Sequence, residues 1–207
     1  RFPVRRIYCV GRNYAAHARE MGADPTKEPP FFFMKPADAI VPPGDVAYPP
    51  DTENLHYEGE LVVAIGHPGR DIAVEDACVH IFGYAVGIDL TRRDRQSDAR
   101  AVGQPWEKGK GFDQSAPLGP ITPSADIDHI TKGAISLSVN GVIKQSADIA
   151  DLIWTIPEII ATLSRSWALA RGDLIFTGTP EGVGPIVRGD EVIAGVAGLQ
   201  DLKIRIV

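Results

Sequence analysis

Three acidic residues beside apolar segments are the first candidates for chemistry. Glu58 and Glu60 stand two residues apart at the start of the apolar run 61–65, and Asp89 closes the apolar segment 84–88. On an extended strand, Glu58 and Glu60 leave the same face. Carboxylates beside a core are costly unless a cation neutralises them. A set of oxygen ligands without a neighbouring Cys or His pair favours Mg²⁺ or Mn²⁺, with Ca²⁺ as a third candidate, over Zn²⁺.

The glycine between the two glutamates is predicted to leave space for a ligand. An alternative interpretation places Glu58 and Glu60 in solvent at a strand edge and makes Asp89 the cap of a turn or helix. It stays open at this point because Glu-x-Glu is a common string.

His17 and Glu20 are candidates for activating a water molecule. They are three residues apart in a predicted helix over residues 14–21, so they share one face. A carboxylate beside an imidazole fixes its tautomer and raises its basicity, and such a pair can take a proton from water. The alternative is a surface ion pair on a short exposed helix. His56, two residues before Glu58, is a further candidate for supporting the acidic site.

Cationic segments follow the acidic residues. Residues 91–96 (TRRDRQ) come directly after Asp89 and suit a substrate that carries a carboxylate. The alternative, a solvated helix face, fits Arg92 and Arg95. Lys110 stands between two glycines, which let a backbone approach a ligand but also simply make loops. Residues 176–184 lack both the P-loop and the dinucleotide-binding spacing, which excludes these two modes of nucleotide binding.

Short segments must position these residues. Asn13 is predicted to cap the helix over 14–21 and Gly22 to end it. Asn140-Gly141 predicts a hairpin turn. Strands are predicted over residues 6–10, 31–34, 61–65, 84–89, 135–139, 142–146, 174–177 and 202–207. Further helices are predicted over 74–81 and from 155 to about 167, a loop over 24–30, and a helical or irregular segment over 91–100. The predicted fold class is α+β, mostly β with short helices, in one domain over residues 1–207.

Composition excludes several classes of partner. The net charge of -6 and the absence of a basic run argue against nucleic acid and against an anionic membrane surface. No apolar run approaches the roughly 20 residues of a membrane span. Two cysteines make neither a disulfide framework nor a metal motif, so a cytoplasmic protein is expected.

The order of six motifs along the chain resembles the fumarylacetoacetate hydrolase family. The motifs are residues 10–21 (VGRNYAAHAREM), 33–36 (FMKP), 57–61 (YEGEL), 87–89 (GID), 110–113 (KGFD) and 176–184 (FTGTPEGVG). The resemblance covers nearly the whole chain. It implies the family's mixed β-sheet roll, assembled as a homodimer.

The resemblance also implies a role for each candidate residue. Glu58, Glu60 and Asp89 match the metal ligands, and His17 with Glu20 matches the pair that activates water. Lys110 matches a catalytic position. Arg12, Tyr14, Arg93, Gln96 and Thr179 match positions that bind substrate. The N-terminal stretch, residues 2–36, is most similar to bacterial fumarylpyruvate hydrolases of gentisate breakdown.

The expected function is therefore metal-dependent hydrolysis of the C3–C4 bond of a small anionic 2,4-diketo acid, with fumarylpyruvate as the expected substrate. Two alternatives remain open. The same metal site could serve decarboxylation of oxaloacetate or a related oxo-diacid, or hydrolysis of another acylpyruvate. A protein that only binds a metal or a metabolite is the third interpretation.

Overall fold

The computed structural model describes residues 2–22 and 29–207. Residues 24–28 of the predicted loop therefore lie outside the described residues. The described strands are β1 (Arg6–Gly11), β2 (Phe31–Lys35), β3 (Ile40–Val41), β4 (Gly44–Val46), β5 (Leu55–Tyr57), β6 (Gly59–Ile65), β7 (Ile81–Ile88), β8 (Thr91–Arg92), β9 (Ala116–Pro117), β10 (Thr122–Pro123), β11 (Ala134–Val139), β12 (Val142–Asp148), β13 (Asp173–Phe176), β14 (Gly184–Ile186), β15 (Glu191–Val196) and β16 (Leu202–Ile206).

Helices are short. The α-helices are α1 (Ala15–Glu20), α2 (Arg93–Ala101), α3 (Glu107–Lys110) and α4 (Ile156–Ser166), and three 3-10 helices cover Ala37–Ala39, Val74–His80 and Ile149–Asp151. The helix α4 begins as predicted, since the Glu158 carboxylate accepts hydrogen bonds from the backbone N–H and the hydroxyl of Thr155. No described helix has the length and apolar character needed to cross a bilayer.

A mixed six-stranded sheet forms the centre, in the order β10-β7-β6-β13-β1-β2. Strands β1 and β13 are parallel, and the other neighbours are antiparallel. Side chains of β6 alternate between two apolar clusters, with Leu61 and Val63 in the larger one and Val62 and Ala64 in the smaller one. Both faces of the sheet are therefore covered, which explains why β6 is a continuous apolar run.

A second, five-stranded sheet in the order β12-β11-β15-β16-β4 packs over the larger cluster. Its strand β16 alternates buried and exposed residues, as the sequence predicts. In the hairpin β11–β12, Asn140 and Gly141 both have positive φ, of 52° and 78°. This is the conformation that a two-residue type I′ turn requires. The α+β class, mostly β with short helices, is confirmed.

One local prediction was wrong. Asn13 does not cap α1, because its side chain is buried and bonds to the backbone of Trp154 and Thr177 instead. The helix predicted over 74–81 is present as a 3-10 helix over Val74–His80. Gly22 does end α1 with a φ of 72°, as predicted. At Asn13, contacts with segments distant along the chain outweigh the local pattern.

Candidate metal centre and active site

The three predicted acidic ligands meet at the edge of the central sheet. Glu58 lies at the break between β5 and β6, Glu60 is the second residue of β6, and Asp89 follows β7. The backbone N–H of Asp89 donates to the carbonyl of Glu58, which brings the two side chains together. One oxygen from each carboxylate lies within 4.8 Å of the others, and all three residues are buried. The interpretation as solvated edge residues is therefore wrong.

Three buried cations surround the acidic cluster. Lys110 Nζ lies 2.8 Å from Glu58 Oε2 and 2.7 Å from Asp89 Oδ2. Lys35 Nζ lies 2.8 Å from Asp89 Oδ1, an ion pair that lacks the alignment of a hydrogen bond. The Arg93 guanidinium donates to Glu58 Oε1 at 2.5 Å. Burial by itself would raise the pKa of Glu58. The positive charges of Lys110 and Arg93 have the larger combined effect, so the pKa of Glu58 is lowered.

Glu60 differs from its two neighbours. Its Oε2 accepts the backbone N–H of Gly178 at 2.7 Å, but no ammonium or guanidinium group within the described ranges forms an ion pair with it. Burial, then the charges of Asp89 and Glu58, raises its pKa well above the ordinary value. A divalent cation would relieve this repulsion. The cluster therefore fits a hard metal ion in its donor chemistry as well as in its spacing.

The ammonium of Lys110 supports the same conclusion. It bridges two carboxylates and also donates to the Thr91 hydroxyl at 2.7 Å. The charges of Asp89 and Glu58 exceed the effect of burial and raise the pKa of Lys110. A positive charge is thus already accommodated between the oxygens that a metal would use. Gly109, which precedes Lys110, packs against Gln96 of α2. A Cβ atom added to Gly109 would lie 2.8 Å from the backbone nitrogen of Gln96.

Gly59 does not open space for a ligand, contrary to the prediction. A Cβ on Gly59 would contact Leu137 and Gln145 of the five-stranded sheet at 3.1–3.3 Å. The Gln145 side chain accepts the Gly59 N–H and donates to the Thr179 hydroxyl, which itself donates to the Gly59 carbonyl. Gly59 therefore lets the second sheet pack closely behind the two glutamates.

His17 and Glu20 form the predicted pair. His17 Nδ1 lies 3.1 Å from Glu20 Oε2, and because a carboxylate can only accept, Nδ1 carries the proton. The lone pair of His17 Nε2 stays available for a proton. The other Glu20 oxygen accepts the backbone N–H of Gly182 at 3.1 Å, which ties α1 to the glycine-rich loop after β13. The His17 side chain is buried whereas Glu20 is partly exposed, so only the carboxylate end of the pair reaches the surface.

One cavity joins the two groups of candidate residues. Its polar lining residues are Arg12, His17, Glu58, Arg93, Gln96, Ser97, Arg100, Lys110 and Thr179. All of them except Ser97 and Arg100 are predicted site residues. Glu20 lies behind His17, and Glu60 and Asp89 lie beside Glu58.

Tyr14 is placed elsewhere. It lines a separate depression with Arg19 and Asp151, and its buried hydroxyl has no hydrogen-bond partner among the described residues. Burial, then the charge of Glu60, raises the pKa of Tyr14.

Two residues that support the site were not identified from the sequence. Lys35 is buried and pairs with Asp89, and Gln145 links Gly59 to Thr179. Lys35 belongs to the motif FMKP, so that motif could have indicated it. Gln145 lies in β12, where its neighbours Lys144 and Ser146 are exposed, and only the packing of the two sheets marks it as buried.

His56 orients Arg93 from behind the acidic cluster. Its Nε2 lies 2.9 Å from Asn54 Oδ1, and its Nδ1 accepts the Nε–H of Arg93 at 3.3 Å. The other guanidinium nitrogens donate to Gln96 and Glu58. Burial, then the charge of Arg93, lowers the pKa of His56 to about 4. The imidazole is therefore held neutral as an acceptor.

This arrangement predicts a pH-dependent contribution to stability. Since the folded state lowers the pKa of His56 from 6.5 to about 4, the neutral form stabilises the fold above pH 6.5. That stabilisation should be lost as the pH falls from 6.5 to 4. The free energy of unfolding of the wild type, relative to that of His56→Asn, should therefore decline over this range in urea titrations. A constant difference would contradict the prediction, because asparagine does not titrate.

The chain matches the family described as fumarylacetoacetate (FAA) hydrolase C-terminal over residues 6–207. The chain belongs to the fumarylacetoacetate hydrolase family. The resemblance seen in the six motifs is thus confirmed.

Relatives in this family differ in their reactions. The chain is 46% identical over 184 residues to a fumarylpyruvate hydrolase of Ralstonia sp, covering 88% of this chain and 95% of the relative. It is 42% identical over 193 residues to an oxaloacetate tautomerase of Escherichia coli, covering 92% and 88%. The crystal structure of fumarylpyruvate hydrolase from Pseudomonas aeruginosa in complex with Mn²⁺ and pyruvate has a TM-score of 0.98 and 56% identity, covering 100% of this chain and 91% of that one. The chain is therefore an enzyme of a family with more than one activity.

Proposed function

We propose that the protein is a metal-dependent hydrolase that cleaves the C3–C4 bond of a 2,4-diketo acid, converting fumarylpyruvate to fumarate and pyruvate. The observation that carries this proposal is the shared cavity. It joins a buried histidine with a carboxylate partner to the carboxylate cluster that suits a metal. Water activation and charge stabilisation can therefore act on one bound molecule. The fumarylpyruvate hydrolases of Ralstonia and Pseudomonas add support.

Glu58, Glu60 and Asp89 would hold Mg²⁺ or Mn²⁺. When bound, the ion would supply a Lewis acid for the oxygens of the substrate. The crystal structure of the Pseudomonas relative contains Mn²⁺ and pyruvate, which supports a metal in this role. Arg93 and Gln96 border the cavity beside Glu58 and suit the substrate carboxylate next to the 2-oxo group.

His17 takes the proton of a water molecule at Nε2 while Glu20 holds Nδ1–H. The oxygen of that water adds to C4 of the substrate. The C3–C4 bond then breaks, its electron pair stays with C3, and a proton returned to C3 completes pyruvate. Lys110 lies close enough to Glu58 and the cavity to offset the charge that develops on the leaving enolate.

A second candidate is tautomerisation or decarboxylation of oxaloacetate at the same site. The chain is 42% identical over 193 residues to the oxaloacetate tautomerase of Escherichia coli, and this similarity supports the second candidate. Neither reaction of a 2-oxo diacid needs an activated water. The pair of His17 and Glu20 therefore favours hydrolysis over decarboxylation, whereas a tautomerase could use the same pair to move the C3 proton. We further propose a homodimer in the cytoplasm and a place in gentisate degradation, on the strength of the fumarylpyruvate hydrolase relatives.

The test is a parallel assay of the purified protein with Mg²⁺ or Mn²⁺ against fumarylpyruvate, acetylpyruvate and oxaloacetate. Pyruvate release is followed with and without EDTA, and oxaloacetate is also followed for keto–enol exchange. We expect rapid, EDTA-sensitive cleavage of fumarylpyruvate. Turnover of oxaloacetate alone would replace the hydrolase assignment with the second candidate.

A further inference from the structure

The cavity has a buried half and an exposed half. Its buried half contains Glu58, Lys110 and His17, each at most 6% exposed. The other half is formed by more exposed residues, among them Arg12 and Arg100. Two arginines thus border the outer part of a cavity whose inner part is the acidic cluster. The proposed function assigns no task to Arg100.

One face of α2 connects the two halves. Four residues of α2 line the cavity, namely Arg93, Gln96, Ser97 and Arg100. The last three stand three, four and seven residues after Arg93. Such residues form one stripe along a helix. At a rise of 1.5 Å per residue, Arg100 lies about 10 Å along the helix axis from Arg93. The stripe therefore places a cation at each end of an elongated site.

Arg12 approaches the same outer half from the turn after β1. Its φ of 57° is in the left-handed region, which is costly for a residue with a long side chain. Its guanidinium lies 5.9 Å from the centre of the Phe31 ring. The Phe31 ring in turn packs edge-on against Trp106, another lining residue, at 5.0 Å. This strained turn directs a cation towards an aromatic wall of the cavity.

Neither arginine has an anionic partner in the part of the chain that the structure describes. Arg100 donates to the carbonyl of Met21 at 3.1 Å, and Arg12 has only the contact with Phe31. By contrast, Arg95 on the same helix pairs with Asp51, Asp94 and Asp98. In a chain with a net charge of -6, two arginines without a carboxylate partner beside one cavity are suited to an anionic ligand.

We propose that Arg12 and Arg100 bind the terminal carboxylate of the acyl group and so select acylpyruvates that end in a second carboxylate. This inference rests on the proposed function and names the residues that determine its substrate class. The carboxylates of an extended seven-carbon dianion such as fumarylpyruvate lie far enough apart to contact both ends of the stripe. Acetylpyruvate lacks the second carboxylate, and in four-carbon oxaloacetate the two carboxylates are too close together.

The test compares kcat/KM for fumarylpyruvate and acetylpyruvate in the wild type, Arg100→Gln and Arg12→Gln. Each glutamine variant should lose a charge-assisted contact with the terminal carboxylate. Its kcat/KM for fumarylpyruvate, divided by that for acetylpyruvate, should therefore fall by about tenfold to a hundredfold. Arg100→Lys should restore part of it. The control is Arg95→Gln, which removes the same charge from the same helix outside the cavity and should leave the ratio unchanged. Equal ratios in all five proteins would overturn the proposal.

A binding experiment separates this proposal from the proposed function. With Mn²⁺ present, calorimetry measures the affinity of fumarylpyruvate and acetylpyruvate for His17→Ala and for His17→Ala with Arg100→Gln. We expect the second substitution to weaken fumarylpyruvate binding by about tenfold or more relative to acetylpyruvate. That result supports the carboxylate site even if the wild type cleaves neither compound, in which case only the hydrolase assignment fails. Equal weakening of both ligands, or none, would refute the site.

Discussion

Replacing His17 with alanine is expected to lower kcat for fumarylpyruvate cleavage by about 10² to 10⁴-fold, the contribution typical of a positioned general base. The His17 imidazole is the group with a free lone pair next to the carboxylate cluster, and Glu20 fixes its tautomer through a 3.1 Å contact. KM should change much less, because Arg93 and Gln96, which are predicted to bind the substrate, stay in place.

Steady-state kinetics of pyruvate release will measure this effect. Mn²⁺ titrations of the same variant should give an unchanged affinity, because His17 is not part of the acidic cluster. Glu20→Gln is the matched variant. It keeps an oxygen that can accept Nδ1–H but removes the negative charge, so its loss of kcat should be smaller, on the order of tenfold. Near-normal turnover in His17→Ala would show that another group activates the water.

Glu60→Gln is expected to abolish metal-dependent stabilisation without lowering the stability of the metal-free protein. Glu60 is buried beside two other carboxylates, and the described residues provide no cation that pairs with it. Removing its charge relieves repulsion in the absence of metal, and the glutamine oxygen can still accept the Gly178 N–H. The wild type should gain about 2.7 kcal/mol when free Mn²⁺ is 100 times its dissociation constant, whereas the variant should gain almost nothing.

Asp89→Asn is the contrasting variant in the same cluster. Asp89 pairs with both Lys35 and Lys110, so neutralising it leaves the buried Lys35 ammonium without its carboxylate partner and leaves Lys110 with Glu58 alone. The free energy of unfolding of the metal-free protein should fall by about 3 kcal/mol, the cost of breaking a buried ion pair. Urea denaturation of the three proteins with EDTA and with Mn²⁺ will test both expectations. Equal destabilisation by Glu60→Gln and Asp89→Asn would mean that Glu60 has a cationic partner after all.

Local patterns in the sequence were sufficient for the elements that define the fold class. The apolar run of β6, the alternation of β16 and the Asn140-Gly141 turn all depend on neighbouring residues, and each is confirmed. They succeed because side-chain periodicity and turn geometry are properties of a short segment. The prediction that Asn13 caps α1 was wrong because its side chain is held by distant segments. Its three side-chain hydrogen bonds reach residues more than 140 positions away.

The sequence by itself determined which residues belong to the acidic cluster and to the histidine pair. Glu58 and Glu60 stand two residues apart where β6 begins, and His17 and Glu20 share a helical face, so spacing along the chain brings each pair together. Only the tertiary structure decided how these pairs meet in one cavity and which residues support them. Lys35, Gln145 and Arg100 reach the site through sheet pairing, sheet packing and the docking of α2. Such contacts join segments that are distant along the chain, and no local pattern specifies them.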